Sequence, residues 1–359
     1  MSATPKRLPP VMRRLTPAFC AIAGIIAASP PASAQPPTLA ELAMYSGPDR
    51  MQRLMAGAKK EGVLNVYSSM TVGDMKVVVD GFQKKYGVKI QPWRASSESI
   101  LQRTVIEHRA GRHEVDAIET SATEMESLHR EKLLQEVKSP HLANIVSGAL
   151  RPHREWVGDR FNVIVAGYNT KLVKKDELPK TYEDLLDPKW RGRLGIESDD
   201  AVWFAALAGA MGEEKTIKLF RDMVRVNGVS VRKGHTLLAN LVVSGEVAFA
   251  LTLYHYKAKQ LKRDGAPLDW YVMSPGFARF LGTGVMKRAP HPHAAVLFMD
   301  FMLHDAQQLL VKRDFTPTNM KVQPIDVEVG VIDPAKILDQ GDKWTKLYDE
   351  IVVKQGKKR

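Results

Sequence analysis

Two tyrosines one residue apart, Tyr254 and Tyr256, follow the apolar run 247–251 and flank His255. A Gly245-Glu246 turn precedes the run, so the pair stands where a strand gives way to a loop. Alternate residues of an extended chain share a side. The rings either pack into a core, or one or both line a ligand site. A second segment, Glu197-Ser198-Asp199-Asp200-Ala201-Val202-Trp203, follows a strand and opens a helix. Acidic residues at a helix start are ordinary capping. Alternatively Asp199 or Asp200 faces a cation beside Ser198, and Trp203 supplies a stacking face. A third segment, Arg232-Lys233-Gly234-His235-Thr236, precedes the apolar helix 237–243. Free N–H groups with Arg232 and Lys233 suit an anion, a solvated loop is the alternative, and His235 is also a candidate metal ligand. In Arg94-Ala95-Ser96-Ser97-Glu98-Ser99 the serines either cap a helix or hydrogen-bond a ligand. Ser69, Thr71, Ser97 and Thr120 complete the expected ligand-binding set.

Alternating elements must position these residues. A leader helix is expected over 35–57, ending by a C-cap at Gly62. Strands follow at 63–67, 88–92 and 115–118, with helices at 77–86 and 99–110. Val78, Val79, Phe82 and Tyr86 form one apolar stripe. Such alternation predicts mostly parallel α/β sheets flanked by helices. Ligands then bind at the carboxyl ends of the strands. The pattern resets at the strand-like run 160–168, which crosses to a second unit. That unit holds 193–197, helices at 203–211 and 213–227, and the strand 247–254. Residues 270–284 read as the return crossing, and 290–303 as an amphipathic helix. Two lobes joined by two crossings make a hinge. The expected division is 35–160 for the first part of lobe 1, 161–275 for lobe 2, and 276–359 for the return and the C-terminal helices.

Thr181-Tyr182-Glu183-Asp184-Leu185-Leu186-Asp187-Pro188-Lys189-Trp190-Arg191-Gly192-Arg193-Leu194 resembles a signature of the ferric-ion-binding class of periplasmic solute-binding proteins, the receptors of ABC importers. The resemblance covers roughly 54–310, including the helix 290–303. It implies a two-lobed type II periplasmic binding protein fold, with the signature as an exposed helix and turn. It implies a non-enzymatic monomer that captures ligand by hinge closure and delivers it to a permease and ATPase. The family's two adjacent iron-binding tyrosines fall at His255 and Tyr256, with Tyr254 just outside. Its histidine after the first strand is missing from Ser68-Ser69-Met70-Thr71. Its glutamate after the third strand is replaced by Ser121, with Glu119 two residues early. Two ligands follow as expectations. One is ferric iron or a ferric chelate on Tyr256, Tyr254 and His255, with a synergistic anion at Lys233. The other is a small organic solute, such as an organic cation, a phosphonate or a small acid. A sensor-coupled binding protein is a further alternative.

The first residues read as a cleaved secretory signal, which implies a periplasmic protein. Lys6, Arg7, Arg13 and Arg14 precede an apolar run, and Ala32-Ser33-Ala34 supplies the cleavage site. Met12 is an alternative start, and Sec export is the default over twin-arginine export. Cys20 lies in that segment, so a mature chain has no disulfide or thiolate chemistry. Removing the four basic residues from the net +12 leaves +8, dispersed over the chain. No basic helix interleaved with aromatics suggests nucleic acid. No G-x-S-x-G, H-E-x-x-H, P-loop or G-x-G-x-x-G supports an enzyme. His108, His113, His129, His141, His153, His291, His293 and His304 are scattered; His291-Pro292-His293 is a candidate metal pair but reads as surface, since paired ligands need a converging third.

Overall fold

The computed structural model describes residues 1, 2, 7, 10, 37–323 and 328–356. The expected cleavage site, Cys20 and the basic residues 357–359 lie outside the described residues. Among those described, no helix is long and apolar enough to cross a membrane.

The leader region forms two helices, α1 (Leu39–Met44) and α2 (Arg50–Glu61), rather than one. Pro48 has no N–H to continue α1, and Thr38 and Glu41 form a capping box at its start. Then come β1 (Val63–Ser68), α3 (Val72–Tyr86), β2 (Lys89–Arg94), α4 (Ser97–Arg109), β3 (Ala117–Ser121), α5 (Ala122–Arg130) and the short β4 (Leu134–Gln135). Gly62 and Gly87 close α2 and α3 in the left-handed region, at φ 72° and 71°, where glycine is unstrained. Of the predicted stripe, Val78, Phe82 and Tyr86 are buried and Val79 is half-buried against the same core.

The long strand β5 (Trp156–Asn169) leads to β6 (Leu194–Glu197), α6 (Ala201–Met211), α7 (Glu213–Asn227), β7 (Ser230–Arg232), α8 (His235–Ser244), β8 (Phe249–Tyr254), α9 (His255–Arg263) and β9 (Leu268–Tyr271). The chain returns through β10 (Phe277–Met286), α10 (Pro292–Leu303), α11 (Asp305–Val311), β11 (Thr316–Pro317), β12 (Gly330–Val331), α12 (Pro334–Asp339) and α13 (Gly341–Tyr348). The main strand order is β2-β1-β3-β10-β5-β8-β6-β7. β1 runs parallel to β2 and β3, and β6 runs parallel to β7 and β8. The centre is antiparallel, because β10 runs against both β3 and β5, and β5 against β8. The result is a mixed α/β sheet with two parallel halves joined by the crossing strands β5 and β10.

Two further elements differ from expectation. The signature 181–194 is a set of 3₁₀ turns rather than an exposed helix. It is anchored by buried Tyr182, Leu185 and Trp190. Helix α10 is not amphipathic: residues 294–303 are all buried, since α1, α2, α11 and β10 cover it on every side. His291 and His293 are not loose surface groups. They bind Asp116 at 2.9 Å and Glu61 at 2.7 Å, and so tether the start of α10. The C-terminal segment packs α12 on α5 and α13 on α6.

Candidate functional site

Strand-to-helix junctions of both halves open on one cleft of about 330 Å³. On the first half, Thr71, Ser96 and Ser121 line it, and these are the N-caps of α3, α4 and α5. Thr71 and Ser96 accept hydrogen bonds from the third residue of their helices, which aims each helix's positive end at the cleft. Ser97 Oγ and Ser121 Oγ are 2.8 Å apart and tie two of these junctions together. On the second half, Glu197, Asp199, Lys233, Gly234, His235, Thr236, Tyr254 and Tyr256 line the same space.

Tyr254 is the last residue of β8 and Tyr256 the second of α9. Their rings are 6.1 Å apart and 19° from parallel. They share the cleft because the chain turns into a helix between them, not because the strand continues. Tyr256 stacks on Phe315 at 4.0 Å, and Tyr254 packs on His235 at 3.8 Å. Burial, reinforced by the charge of Asp74, pushes the Tyr256 hydroxyl up to about 12. Tyr254 Oη is buried with no hydrogen-bond partner.

Of the expected set, Tyr254, Tyr256, Asp199, Lys233, His235, Thr71, Ser69 and Ser97 line the cleft. Five do not. Thr120, in β3, is fully buried. Ser198 bonds Asp199 Oδ1 at 3.0 Å outside the lining. Asp200 is buried behind His235. Trp203 packs on Phe220 and Tyr182 in the core, since α6 is apolar around its circumference. It offers no stacking face for an organic cation.

His255, expected as a metal ligand, turns away from the cleft. Its Nδ1 accepts from the Val163 N–H at 3.2 Å, and its Nε2 faces the Thr316 hydroxyl at 3.1 Å. Both nitrogens are occupied in the sheet. Burial, and then the charge of Lys259, hold its pKa down to about 4. An unfolded histidine titrates near ~6.5, so the unfolded chain takes the proton first. Stability from this group is therefore complete above about pH 6.5 and is lost as pH falls toward the folded value. The urea midpoint should drop between pH 7 and 4.5 by more in the wild type than in His255→Gln. Equal slopes would refute this.

Sequence reasoning missed Arg160, Asn162 and Arg279, which line the cleft from the crossing strands, and Glu124 from α5. Arg160 holds Glu119 at 2.6 Å and Asp159 at 2.7 Å, all three at most 1% exposed. Arg279 lies over the Tyr254 ring at 5.1 Å. Burial raises the Glu124 carboxyl, against the pull of Arg279. The available signal was a charged residue inside a run otherwise built for a sheet interior, as Asp159-Arg160 in the fourteen-residue β5. The lining carries four basic side chains, Arg94, Arg160, Arg279 and Lys233, with three helix starts, and four acidic ones, Glu98, Glu124, Glu197 and Asp199. The basic groups and helix starts suit the anionic part of a ligand or complex.

The chain is similar to Iron uptake protein A1 of Synechocystis sp. (strain ATCC 27184 / PCC 6803 / Kazusa), at 26% identity over 285 residues, 74% of this chain and 78% of that protein. Its fold matches iron-bound HitA from Pseudomonas aeruginosa with a TM-score of 0.72 and 20% identity, covering 80% of this chain and 99% of that one. It also matches AfuA from Actinobacillus pleuropneumoniae with exogenous fructose-6-phosphate bound, at a TM-score of 0.69 and 20% identity, covering 81% and 99%. The two-lobed architecture is shared with these binding proteins. The family described as bacterial extracellular solute-binding protein matches residues 119–339, which run from the Glu119 anchor through both crossing strands, and the chain belongs to that family.

Proposed function

We propose that the protein is the periplasmic receptor of an ABC importer and that its cargo is ferric iron carried as an anionic chelate. The carrying observation is the Tyr254–Tyr256 pair, with the Tyr254 hydroxyl buried and free of partners. Phenolate oxygen is a hard anionic donor that suits a hard cation. Arg94, Arg160 and Arg279 supply positive charge beside the phenols, and this favours their ionised form once metal arrives. The names of the similar iron uptake protein and of iron-bound HitA support the metal. A chelate is favoured over bare iron because Ser121 stands at the family's glutamate position and Glu119 is committed to Arg160. The cargo's own oxygens would complete the coordination, held by the basic lining and the helix starts. Closure about β5 and β10 captures it, and the closed form delivers it to the permease. The expected lobes, 35–160 with 276–359 and 161–275, are proposed on the same ground.

A second reading, a phosphorylated or carboxylated small solute without iron, is favoured by the three helix starts in one wall, two of them capped by Thr71 and Ser96. One experiment separates the two. Residues 35–359 are titrated with ferric ion, with and without citrate, while visible absorption and Tm are followed. A phenolate-to-iron charge-transfer band with a raised Tm is expected, lost in Tyr254→Phe/Tyr256→Phe. No band and no shift under either condition would sink the iron reading and leave the organic anion, to be sought with sugar phosphates and small acids.

A further inference from the structure

Three metal-capable side chains meet in the second-half wall of the cleft: Glu197 at the end of β6, Asp200 before α6, and His235 at the start of α8. One ligand atom of each lies within 4.8 Å of the other two. His235 Nδ1 faces the Thr252 carbonyl at 3.2 Å. A carbonyl can only accept, so the proton is on Nδ1. Metal-bound histidines show this same arrangement, with the other nitrogen left for the ion. Nε2 points at Asp200 Oδ1, 3.3 Å away. Asp200 is 1% exposed, and its Oδ2 has no hydrogen-bond partner. Glu197 is steered into place by the Gly234 N–H at 2.7 Å and the Asp199 N–H at 2.5 Å.

The charges point the same way. Asp199 has Lys233 at 3.7 Å. Arg279 acts on Asp200 but also on Glu124. Two buried carboxylates, Glu197 and Asp200, are left sharing His235. A proton or a metal held between His235 Nε2 and the two carboxylates would balance them.

We propose that Glu197, Asp200 and His235 form a divalent transition-metal site in the cleft wall. Two carboxylates and one imidazole suit zinc, manganese or ferrous ion. Three protein donors leave open positions, and Glu197 and His235 both face the cleft. An anionic solute there would complete the shell. The site uses neither phenol, so it stands or falls apart from the tyrosine-based iron reading.

The test is a titration of chelator-stripped residues 35–359 with zinc chloride and cobalt chloride, iron being absent. Calorimetry, cobalt absorption bands and Tm are the readouts. One equivalent should bind with micromolar affinity or better and raise Tm. Asp200→Asn and His235→Gln should each weaken binding about tenfold or more. Tyr254→Phe/Tyr256→Phe should retain it, as should Glu126→Gln, which alters the separate Glu126, His129 and His153 cluster. Circular dichroism and Tm of each metal-free variant establish that it is folded. Absence of saturable binding below millimolar metal would overturn the proposal. So would unchanged binding in both Asp200→Asn and His235→Gln.

Discussion

Arg160→Met should destabilise the protein by about 3–5 kcal/mol, the range for breaking a buried ion pair from one side. Arg160 sits in the crossing strand β5 and is 1% exposed. It faces two carboxylates, Glu119 and Asp159, which are fully buried. Glu119 also accepts from the Ser68 hydroxyl at 2.6 Å, so the network joins β1, β3 and β5. Burial already pushes the Asp159 carboxyl up, against the pull of Arg160. Without the guanidinium, the Asp159 carboxyl would rise further above its unfolded value. The folded variant would then bind more protons than its unfolded state, and its stability would rise as pH falls. The gap between wild type and variant should therefore be widest near pH 8 and narrow toward pH 5. Adding Glu119→Gln should recover part of the loss, because it removes one stranded charge. Because Arg160 also lines the cleft, affinity for the proposed anionic cargo should fall as well. Urea unfolding across that pH range is the measurement. A loss under about 1 kcal/mol, typical of an exposed pair, would show that the network is not what joins these strands.

How much of this was legible in sequence depended on whether the deciding interaction was local. The stripe Val78, Val79, Phe82 and Tyr86 announced α3, and Gly62 announced where α2 ends. Those signals act within one turn of chain. Tyr254 and Tyr256 were visible because they follow the end of a strand, where α/β sheets place ligands. Their neighbour His255 was misread, because which way it turns is set by Val163 in a different strand. Trp203 was misread for a similar reason. A tryptophan next to acidic residues looks like a cation site until Phe220 and Tyr182 close over it. Arg160 and Arg279 were missed because their exposure to the cleft comes from β5 and β10 passing between the halves. No window of sequence contains that crossing. The charged wall of the cleft is thus the least local part of the molecule, and it bears most directly on which cargo is bound.

Trp190→Ala should cost about 3–5 kcal/mol, the usual range for deleting a large buried aromatic. Trp190 is the anchor of the signature segment and has no exposed surface. Its ring is 5.1 Å from that of Phe249, the first residue of β8. Lys189 and Arg193 lie 5.4 and 5.3 Å from it. The surrounding turns are held to α7 by Asn227 Nδ2, which donates to Leu185 O at 2.7 Å and Asp187 O at 3.0 Å. A cavity here cannot collapse without moving those turns or β8. Trp190→Phe should cost much less: it keeps an aromatic ring, and the indole N–H it removes has no partner to lose. The two variants separate packing volume from polarity at one site. Tyr254 stands at the far end of β8, so cargo affinity at a temperature where Trp190→Ala is folded should stay close to wild type. Arg160→Met should lose both stability and affinity, and Trp190→Ala stability alone. If Trp190→Ala also lost affinity, β8 would be transmitting strain from the signature to the cleft, and the segment would be part of the binding apparatus rather than a fastening beneath it.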